Sequence, residues 1–226
     1  MGRSKRFSNN RRYRPLGGLM NYRYLIIKTQ EVPNAEEFLT EFEFKQYKSF
    51  TVEKRAGEWL TGRYAVKKVA SEFFSLPFKK VQIRNTKSGA PILQARGGNS
   101  LTISITHRGD YAAAAISLTG DLIGVDIEKI EPRPQGWTKQ YFDKAELVAE
   151  DDAYLTELWA KKEAVLKLLG LGLTVPMTQI KIINNEVQFF GKALDVWALK
   201  GSPKIAFEMR NVDNFYKFVL AYPTII

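Results

Sequence analysis

The sequence predicts an α+β fold in two subdomains of about 100 residues each, with the boundary between residues 118 and 119. Two long segments, 51–74 and 154–169, place apolar residues at the three- and four-residue spacing of an amphipathic helix. Short segments with strand-like patterns, separated by turn residues, lie around each of them. A chain of 226 residues is long enough to bury a proper core in each half.

The N-terminal half begins with a basic tail, residues 1–20, that carries six Lys or Arg and no acidic residue. Because the tail lacks apolar periodicity, we expect it to be disordered. The elements predicted after it are, in order, a strand over 22–29, a short helix over 35–44, the helix over 51–74, strands over 80–84 and 92–94 around a turn at Gly89, and two strands within 102–117 joined at Arg108-Gly109-Asp110.

The C-terminal half begins with residues 121–130, in which apolar and polar residues alternate as in a strand. The proline-containing residues 131–136 predict a rigid, exposed connector, and residues 137–152 contain a short helix. The helix over 154–169 ends at Gly170, a residue that suits a left-handed C-cap. Four strands complete this half, over 180–183, 187–190, 204–209 and 216–221.

Composition narrows the class of protein. The chain has no cysteine, which excludes a disulfide framework, a zinc–thiolate site and a cysteine nucleophile, and fits a cytoplasmic location. No apolar run approaches the ~18 residues needed to span a bilayer, so we expect no membrane partner. The net charge of +10 is concentrated in residues 1–100, which hold 20 Lys and Arg against 8 Asp and Glu. A basic half implies anionic partners, such as phosphates, nucleic acid or an acidic protein.

Two acidic residues, Asp126 and Glu128, project from the same face of the strand predicted over 121–130. Neighbouring carboxylates repel each other unless a positive charge lies between them. Mg²⁺ accepts one or two carboxylates and completes its shell with water and phosphate oxygens. A magnesium site and a solvated acidic edge strand are equally compatible with this pattern.

The helix over 154–169 places Trp159, Glu163 and Lys167 one turn apart on one face. Taken alone, this column favours a surface Glu–Lys pair beside a half-buried tryptophan. His107, the single histidine, lies between a hydroxyl at Thr106 and a guanidinium at Arg108. These three residues could form a phosphate-binding corner, although a lone histidine is more often structural.

The order of these motifs resembles that of the 4'-phosphopantetheinyl transferases, in particular the larger, pseudo-dimeric type named after the surfactin-synthetase activator. The motifs are S-x-T-H ending at His107, G-V-D-I-E over 124–128 and W-x-x-K-E-x-x-x-K over 159–167. Residues 58–65, 88–91 and 141–146 resemble further motifs of the family. The resemblance covers residues 22–175 and implies two similar halves related by a pseudo-twofold axis.

The resemblance implies an enzyme that transfers the 4'-phosphopantetheine arm of coenzyme A to a serine of an apo acyl or peptidyl carrier protein. The reaction depends on Mg²⁺ and releases 3',5'-ADP. The resemblance further implies that Asp126, Glu128 and Glu163 hold the metal ion, and that Glu163 is also the general base. Lys167 would neutralise the diphosphate, with Lys162 a weaker candidate. We expect a monomer without nucleic-acid or membrane partners.

The same resemblance assigns phosphate and nucleoside contacts of coenzyme A to a set of residues in the N-terminal half. They are Arg63, Arg84, Lys87, Ser88, Gly89, Thr106 and His107. The lysine of the family's G-K-P turn is replaced by Ala90, so Lys87 or Arg84 would have to supply its phosphate contact. Arg108 stands where serine is common and adds a second cation.

Two alternatives belong to other functional classes. A basic nucleic-acid-binding protein would explain the charge and would use the aromatic residues of 41–80 for stacking, but it leaves the carboxylates unexplained. A catalytically inactive homologue that only binds carrier proteins is a further alternative, against which the retained carboxylates argue.

Overall fold

The computed structural model describes residues 21–86, 89–94, 100–120 and 122–224, and it confirms a fold of mixed helices and strands. The basic tail and two predicted ligand contacts, Lys87 and Ser88, lie outside the described residues. The strands are β1 (Tyr22–Lys28), β2 (Gln82–Asn85), β3 (Pro91–Gln94), β4 (Ser100–Arg108), β5 (Tyr111–Ser117), β6 (Gly124–Lys129), β7 (Ile180–Ile183), β8 (Glu186–Phe189), β9 (Ile205–Val212) and β10 (Tyr216–Pro223). The helices are α1 (Ala35–Phe38), α2 (Glu41–Lys48), α3 (Glu53–Phe74), α4 (Trp137–Tyr141), α5 (Asp152–Leu169) and α6 (Gly191–Leu199).

The N-terminal half is an antiparallel five-stranded sheet in the order β1-β5-β4-β3-β2, with α3 packed on one face. The single helix predicted over 35–44 is wrong, because the chain forms two helices there. Asn34 begins α1 and Thr40 begins α2, each with a capping box, and Leu39 between them is extended. Two N-caps six residues apart leave no room for one continuous helix.

The C-terminal half has α5 packed against a three-stranded antiparallel sheet in the order β6-β10-β9. Strands β7 and β8 form a separate hairpin with its turn at Asn184-Asn185. Helix α6 was not predicted. Its buried residue, Ala193, packs into the C-terminal core together with Val196 and Trp197, so tertiary packing supports a helix too short to stand out in the sequence.

The two halves meet along β4 and β6, which belong to different sheets. Side chains of β4 take the place of main-chain pairing at this seam. Ser104 Oγ accepts a hydrogen bond of 3.0 Å from the N–H of Val125, and Thr106 Oγ1 accepts one of 3.3 Å from the N–H of Ile127. A third core, which contains Ala113 of β5, fills the space between the halves. The boundary between residues 118 and 119 remains a proposal.

Gly124 sets the distance between α5 and β6. A Cβ atom at this position would lie 1.9 Å from the carbonyl oxygen of Ala164 and 2.7 Å from the nitrogen of Leu168. Both neighbours are helix backbone, which cannot rotate away as a flexible side chain could. Glycine therefore allows α5 to lie directly against β6, and this contact brings Glu163 and Lys167 to Asp126.

We predict that Gly124→Ala lowers the free energy of unfolding by about 3 kcal/mol or more, because overpacking against backbone forces α5 to shift. Gly57→Ala is the matched control. Gly57 lies inside α3 with no atom within 4 Å of an added Cβ, so alanine there should stabilise the protein by up to about 1 kcal/mol. Urea unfolding of both variants measures the difference, and equal effects would contradict this role of Gly124.

Candidate active site

Asp126 occupies the centre of the seam and is 3% exposed. Its Oδ1 atom accepts hydrogen bonds from Thr106 Oγ1 at 2.9 Å and from Lys167 Nζ at 2.7 Å. Its Oδ2 atom is buried and has no hydrogen-bond partner among the described residues. Thr106 was predicted to contact a phosphate. The structure buries Thr106, and its hydroxyl donates to Asp126 instead of facing solvent.

Glu163 and Lys167 share one face of α5, as the helical spacing predicted, and the structure places this face against Asp126 of β6. Glu163 is 9% exposed. Burial, followed by the negative charges of Asp126 and Glu128, raises the pKa of Glu163 to about 7, and Lys167 opposes this change. A glutamate with such a pKa exchanges its proton near neutral pH, which is the property expected of a general base.

Glu128 completes the group of interacting carboxylates. Burial and the charge of Asp126 raise the pKa of Glu128, whereas Arg108 and Arg133 act against this. Its Oε2 atom lies 3.3 Å from Arg108 Nε but accepts no hydrogen bond among the described residues. Arg108 also donates to Glu131. The second cation expected at this position is therefore bound by carboxylates of the protein itself.

The charge of Asp126 raises the pKa values of both Glu128 and Glu163, the other two carboxylates predicted to hold the metal ion. Among the residues that the structure describes, no group of three or more His, Cys, Asp or Glu is arranged to hold a metal ion. Lys167 binds Asp126, and Arg108 approaches Glu128. The donor set still suits a hard cation, because Asp126 Oδ2 and Glu128 Oε2 are buried oxygens without donors. Mg²⁺ requires only one or two such ligands.

His107 lies at the end of β4 and belongs to the same group of charges. Its side chain is 44% exposed, and Nδ1 lies 3.8 Å from Glu58 Oε1 on α3. Burial lowers the pKa of His107, the charge of Glu58 opposes this, and Lys167 lowers it further. An imidazole reachable from solvent beside Lys167 and Asp126 is placed to contact a ligand, whereas a purely structural histidine would be enclosed.

A cleft of about 900 Å³ between α2 and β2 brings together Arg63 and Arg84. Arg63 stacks on Trp59 at 4.9 Å, and its buried Nη1 atom has no hydrogen-bond partner within the described part of the chain. The Nη1 atom of Arg63 lies 4.0 Å from Glu43 Oε1, which carries the opposite charge. Gly89, with φ of 87°, lies in the turn after β2. His107 and the three carboxylates do not line this cleft.

Lys162, predicted as a weak ligand contact, is a structural residue. Its side chain is fully buried, and Nζ donates to Glu146 Oε2 at 2.8 Å and to the carbonyl of Tyr141 at 2.9 Å. The other oxygen of Glu146 accepts from the N–H of Ile182 at 2.8 Å. The Lys162–Glu146 pair therefore attaches the segment after α4 to α5 and to β7, and the ammonium group is enclosed by protein.

Sequence reasoning also missed Arg133, because the connector 131–136 was predicted to be exposed. The guanidinium group lies 4.7 Å from the ring centre of Trp137. Its Nε and Nη2 atoms are buried and have no hydrogen-bond partner among the described residues. Nothing in the local sequence pattern signals this burial, since it depends on the packing around Trp137 of α4.

Two family models match the chain. The 4'-phosphopantetheinyl transferase superfamily matches residues 122–209, and the N-terminal part of 4'-phosphopantetheinyl transferase matches residues 28–119. A holo-[acyl-carrier-protein] synthase of Bacillus subtilis (strain 168) is 37% identical over 90 residues, which are 36% of this chain and 74% of that protein.

Longer relatives are more distant in sequence. The 4'-phosphopantetheinyl transferase ffp of Bacillus subtilis is 26% identical over 167 residues, 71% of this chain and 73% of that protein. The 4'-phosphopantetheinyl transferase psf-1 of Bacillus pumilus is 26% identical over 122 residues, and the chain spans about half of its length, 51%.

The raised pKa of Glu163 predicts that, when no metal ion is bound, the free energy of unfolding falls as the pH rises. The folded state keeps this proton to a higher pH than the unfolded state, whose pKa is near 4.5. The stabilising contribution is therefore complete below pH 4.5 and lost as the pH rises to about 7. One pKa unit corresponds to about 1.4 kcal/mol, so Glu163→Gln should gain on the order of 3 kcal/mol relative to the native protein over this range.

Urea unfolding between pH 4.5 and 8 in EDTA, without added nucleotide, measures this gain. Glu186→Gln, at an exposed position, is the control and should show no such rise. A constant difference between Glu163→Gln and the native protein across this range would contradict the prediction.

For Lys162 we predict a loss of stability rather than of ligand affinity. Lys162→Met should lower the free energy of unfolding by about 3–5 kcal/mol, because it leaves Glu146 buried without its counter-charge. The double variant Lys162→Met with Glu146→Leu should recover much of this loss. Thermal melts give the stabilities, and calorimetry gives the affinity of the folded protein for coenzyme A. A stable Lys162→Met protein with weakened binding would restore Lys162 to the site.

Proposed function

Since the chain belongs to the 4'-phosphopantetheinyl transferase superfamily, we propose that it transfers the 4'-phosphopantetheine moiety of coenzyme A to a serine hydroxyl of an apo acyl or peptidyl carrier protein. The by-product is 3',5'-ADP. The observation that carries the proposal is the group formed by Asp126, Glu128, Glu163 and Lys167 at the seam. Its unsatisfied carboxylate oxygens and single ammonium suit a cation and a diphosphate bound together.

We propose Asp126 as the central metal ligand, with Glu128 and Glu163 beside it. Mg²⁺ bound there would neutralise charge on the diphosphate of coenzyme A. Thr106 keeps Asp126 in one orientation through its 2.9 Å hydrogen bond. Lys167 now donates to Asp126 at 2.7 Å, and the same ammonium is placed to donate to a phosphate oxygen when substrate binds.

Glu163 is the proposed general base. A serine hydroxyl is a weak nucleophile at neutral pH and must lose its proton as it attacks phosphorus. The pKa of about 7 allows Glu163 to accept that proton. His107 is a proposed phosphate contact, since its imidazole is partly exposed and lies within the field of Lys167.

The cleft between α2 and β2 is the proposed site for the nucleoside end of coenzyme A. Arg63 and Arg84 both line it, and a buried guanidinium nitrogen without an acceptor favours an anion such as the 3'-phosphate. Gly89 lies in the neighbouring turn. Lys87 and Ser88 remain predicted contacts. Thr106 donates to Asp126 and Lys162 donates to Glu146, so the proposed ligand contacts do not include them.

A nucleic-acid-binding function is less well supported. Most aromatic side chains of residues 41–80 pack against the N-terminal core instead of forming a stacking surface, namely Phe44, Tyr47, Trp59, Phe74 and Phe78. No helix within the described ranges is both long and apolar enough to cross a bilayer. We propose a cytoplasmic monomer whose partners are coenzyme A and apo carrier proteins, without nucleic acid or membrane.

Mass spectrometry of a panel of apo carrier proteins, incubated with the enzyme, coenzyme A and Mg²⁺, tests the function. We expect a gain equal to one phosphopantetheine group on at least one carrier. Glu163→Gln should reduce this turnover by about 10²–10⁴-fold, the range typical for loss of a general base.

Glu157→Gln is the matched control for turnover. Glu157 lies on the same helix but pairs with Lys161 and Lys217, outside the carboxylate group, so turnover should stay near that of the native enzyme. Normal turnover by a folded Glu163→Gln protein would refute the assignment of the base. Binding of coenzyme A without transfer to any carrier would instead favour the inactive, carrier-binding alternative.

A further inference from the structure

Arg133 has two buried hydrogen-bond donors that have no role in the proposed active site. It lies in the connector between β6 and α4, and its Nε and Nη2 atoms have no acceptor within the described ranges. The hydrogens of these two nitrogens point along the same edge of the planar guanidinium group. This edge forms paired hydrogen bonds with phosphate or carboxylate oxygens in many proteins. Burying it without an acceptor is costly, so a ligand is expected there.

Aromatic stacking holds Arg133 beside α5. Its guanidinium carbon lies 4.7 Å from the ring centre of Trp137, which in turn lies 5.1 Å from the ring of Trp159. Trp159 is one helical turn before Glu163. Stacking fixes the plane of the guanidinium group and does not use the donors on its edge, which form hydrogen bonds in that plane. Two successive ring contacts thus connect Arg133 to Trp159, the first residue of the Trp159–Glu163–Lys167 column.

The charges around Arg133 indicate that its partner is an anionic ligand and not a carboxylate side chain of the protein. Arg133 is near enough to Glu128 to act on its pKa, but no hydrogen bond or ion pair joins these two side chains. Arg108 is the arginine that approaches Glu128, at 3.3 Å. The seam therefore offers acceptors for a cation at Asp126 and Glu128, and donors for an anion at Arg133. A metal-bound diphosphate presents both charges.

We propose that Arg133 binds the phosphate on the pantetheine side of coenzyme A, the group that is transferred. This inference rests on the proposed function. The nucleoside end is assigned to the Arg63–Arg84 cleft in the N-terminal half. Lys167 lies two turns beyond Trp159 on α5, about 12 Å along the helix axis. Arg133 belongs to the C-terminal half, and its ring contacts connect it to Trp159, at the end of the column opposite Lys167.

In the transfer step the serine oxygen forms a bond to the pantetheine-side phosphorus as the bond from that phosphorus to the bridging oxygen breaks. The leaving 3',5'-ADP keeps the bridging oxygen and its electron pair, and the serine proton passes to Glu163. Charge remains on the non-bridging oxygens of the transferred group throughout this step. A bidentate arginine on these oxygens holds the phosphoryl group and stabilises that charge.

The experiment compares two nucleotides, coenzyme A and 3',5'-ADP, because the second lacks the pantetheine-side phosphate. Calorimetry with Mg²⁺ measures both affinities for the native enzyme and for Arg133→Met, which removes the charge and keeps a long side chain. We expect coenzyme A to bind about 10- to 100-fold more weakly to the variant, the usual effect of losing hydrogen bonds to a charged group. Binding of 3',5'-ADP should be unchanged.

Arg210→Met is the matched control. Arg210 also stacks on an aromatic ring, Tyr24, but its guanidinium donates to Glu208, so both affinities should stay at the native values. If Arg133→Met does not fold, Arg133→Lys replaces it. Lysine keeps the charge but loses the planar edge, and a smaller weakening for coenzyme A alone is expected.

Three outcomes would overturn the inference. The first is unchanged affinity for coenzyme A in folded Arg133 variants. The second is an equal loss for both nucleotides, which would place Arg133 elsewhere on the ligand. The third is complete loss of the Arg133→Met effect in a Glu128→Gln background, which would mean that Arg133 acts only through Glu128.

The inference and the proposed function fail in different ways. A native enzyme that binds coenzyme A through Arg133 but modifies no carrier would refute the function and keep the phosphate contact. A native enzyme that transfers phosphopantetheine while Arg133→Met retains its affinity for coenzyme A would do the reverse. If the native enzyme binds neither nucleotide, both are refuted.

Discussion

Direct contact between α5 and β6 at Gly124 is the constraint on which the site depends. The absence of a side chain there lets the helix backbone approach the strand, and the next inward position of β6 is Asp126. Glu163 and Lys167 then meet Asp126 from the helix, while Thr106 meets it from the other half of the molecule. One close packing contact within the C-terminal half thus assembles a site that needs residues from both halves.

This arrangement destabilises the protein electrostatically. Asp126, Glu128 and Glu163 are held near one another in a poorly solvated place, and the raised pKa of Glu163 is the consequence. Lys167 and Arg108 supply the compensating charge. Such internal pairs stabilise the buried carboxylates, and a metal ion bound with a diphosphate would have to replace the one at Lys167. Stability and function therefore make opposite demands on the same carboxylates.

Much of the fold could be predicted because its longest elements have clear periodicity. Helix α5 and strand β6 were expected within two or three residues of their observed bounds, and the pairing of Asp126 and Glu128 on one strand face followed from the period of two. Shorter elements were less predictable. The division of α1 from α2 depends on local caps, and α6 depends on packing against the C-terminal core. The structure also reassigned Thr106 and Lys162, whose partners are distant in sequence.

The sequence by itself determined which chemical groups are present and on which faces of their elements they lie. Helical and strand periods are local properties, so the column of Trp159, Glu163 and Lys167 could be recognised without a structure. Only the tertiary structure decided which groups are satisfied and which are left without partners. Lys162 is neutralised by Glu146 across 16 residues, whereas two nitrogens of Arg133 are buried without an acceptor. Burial and pairing arise from contacts between distant segments, and local sequence patterns do not encode those contacts.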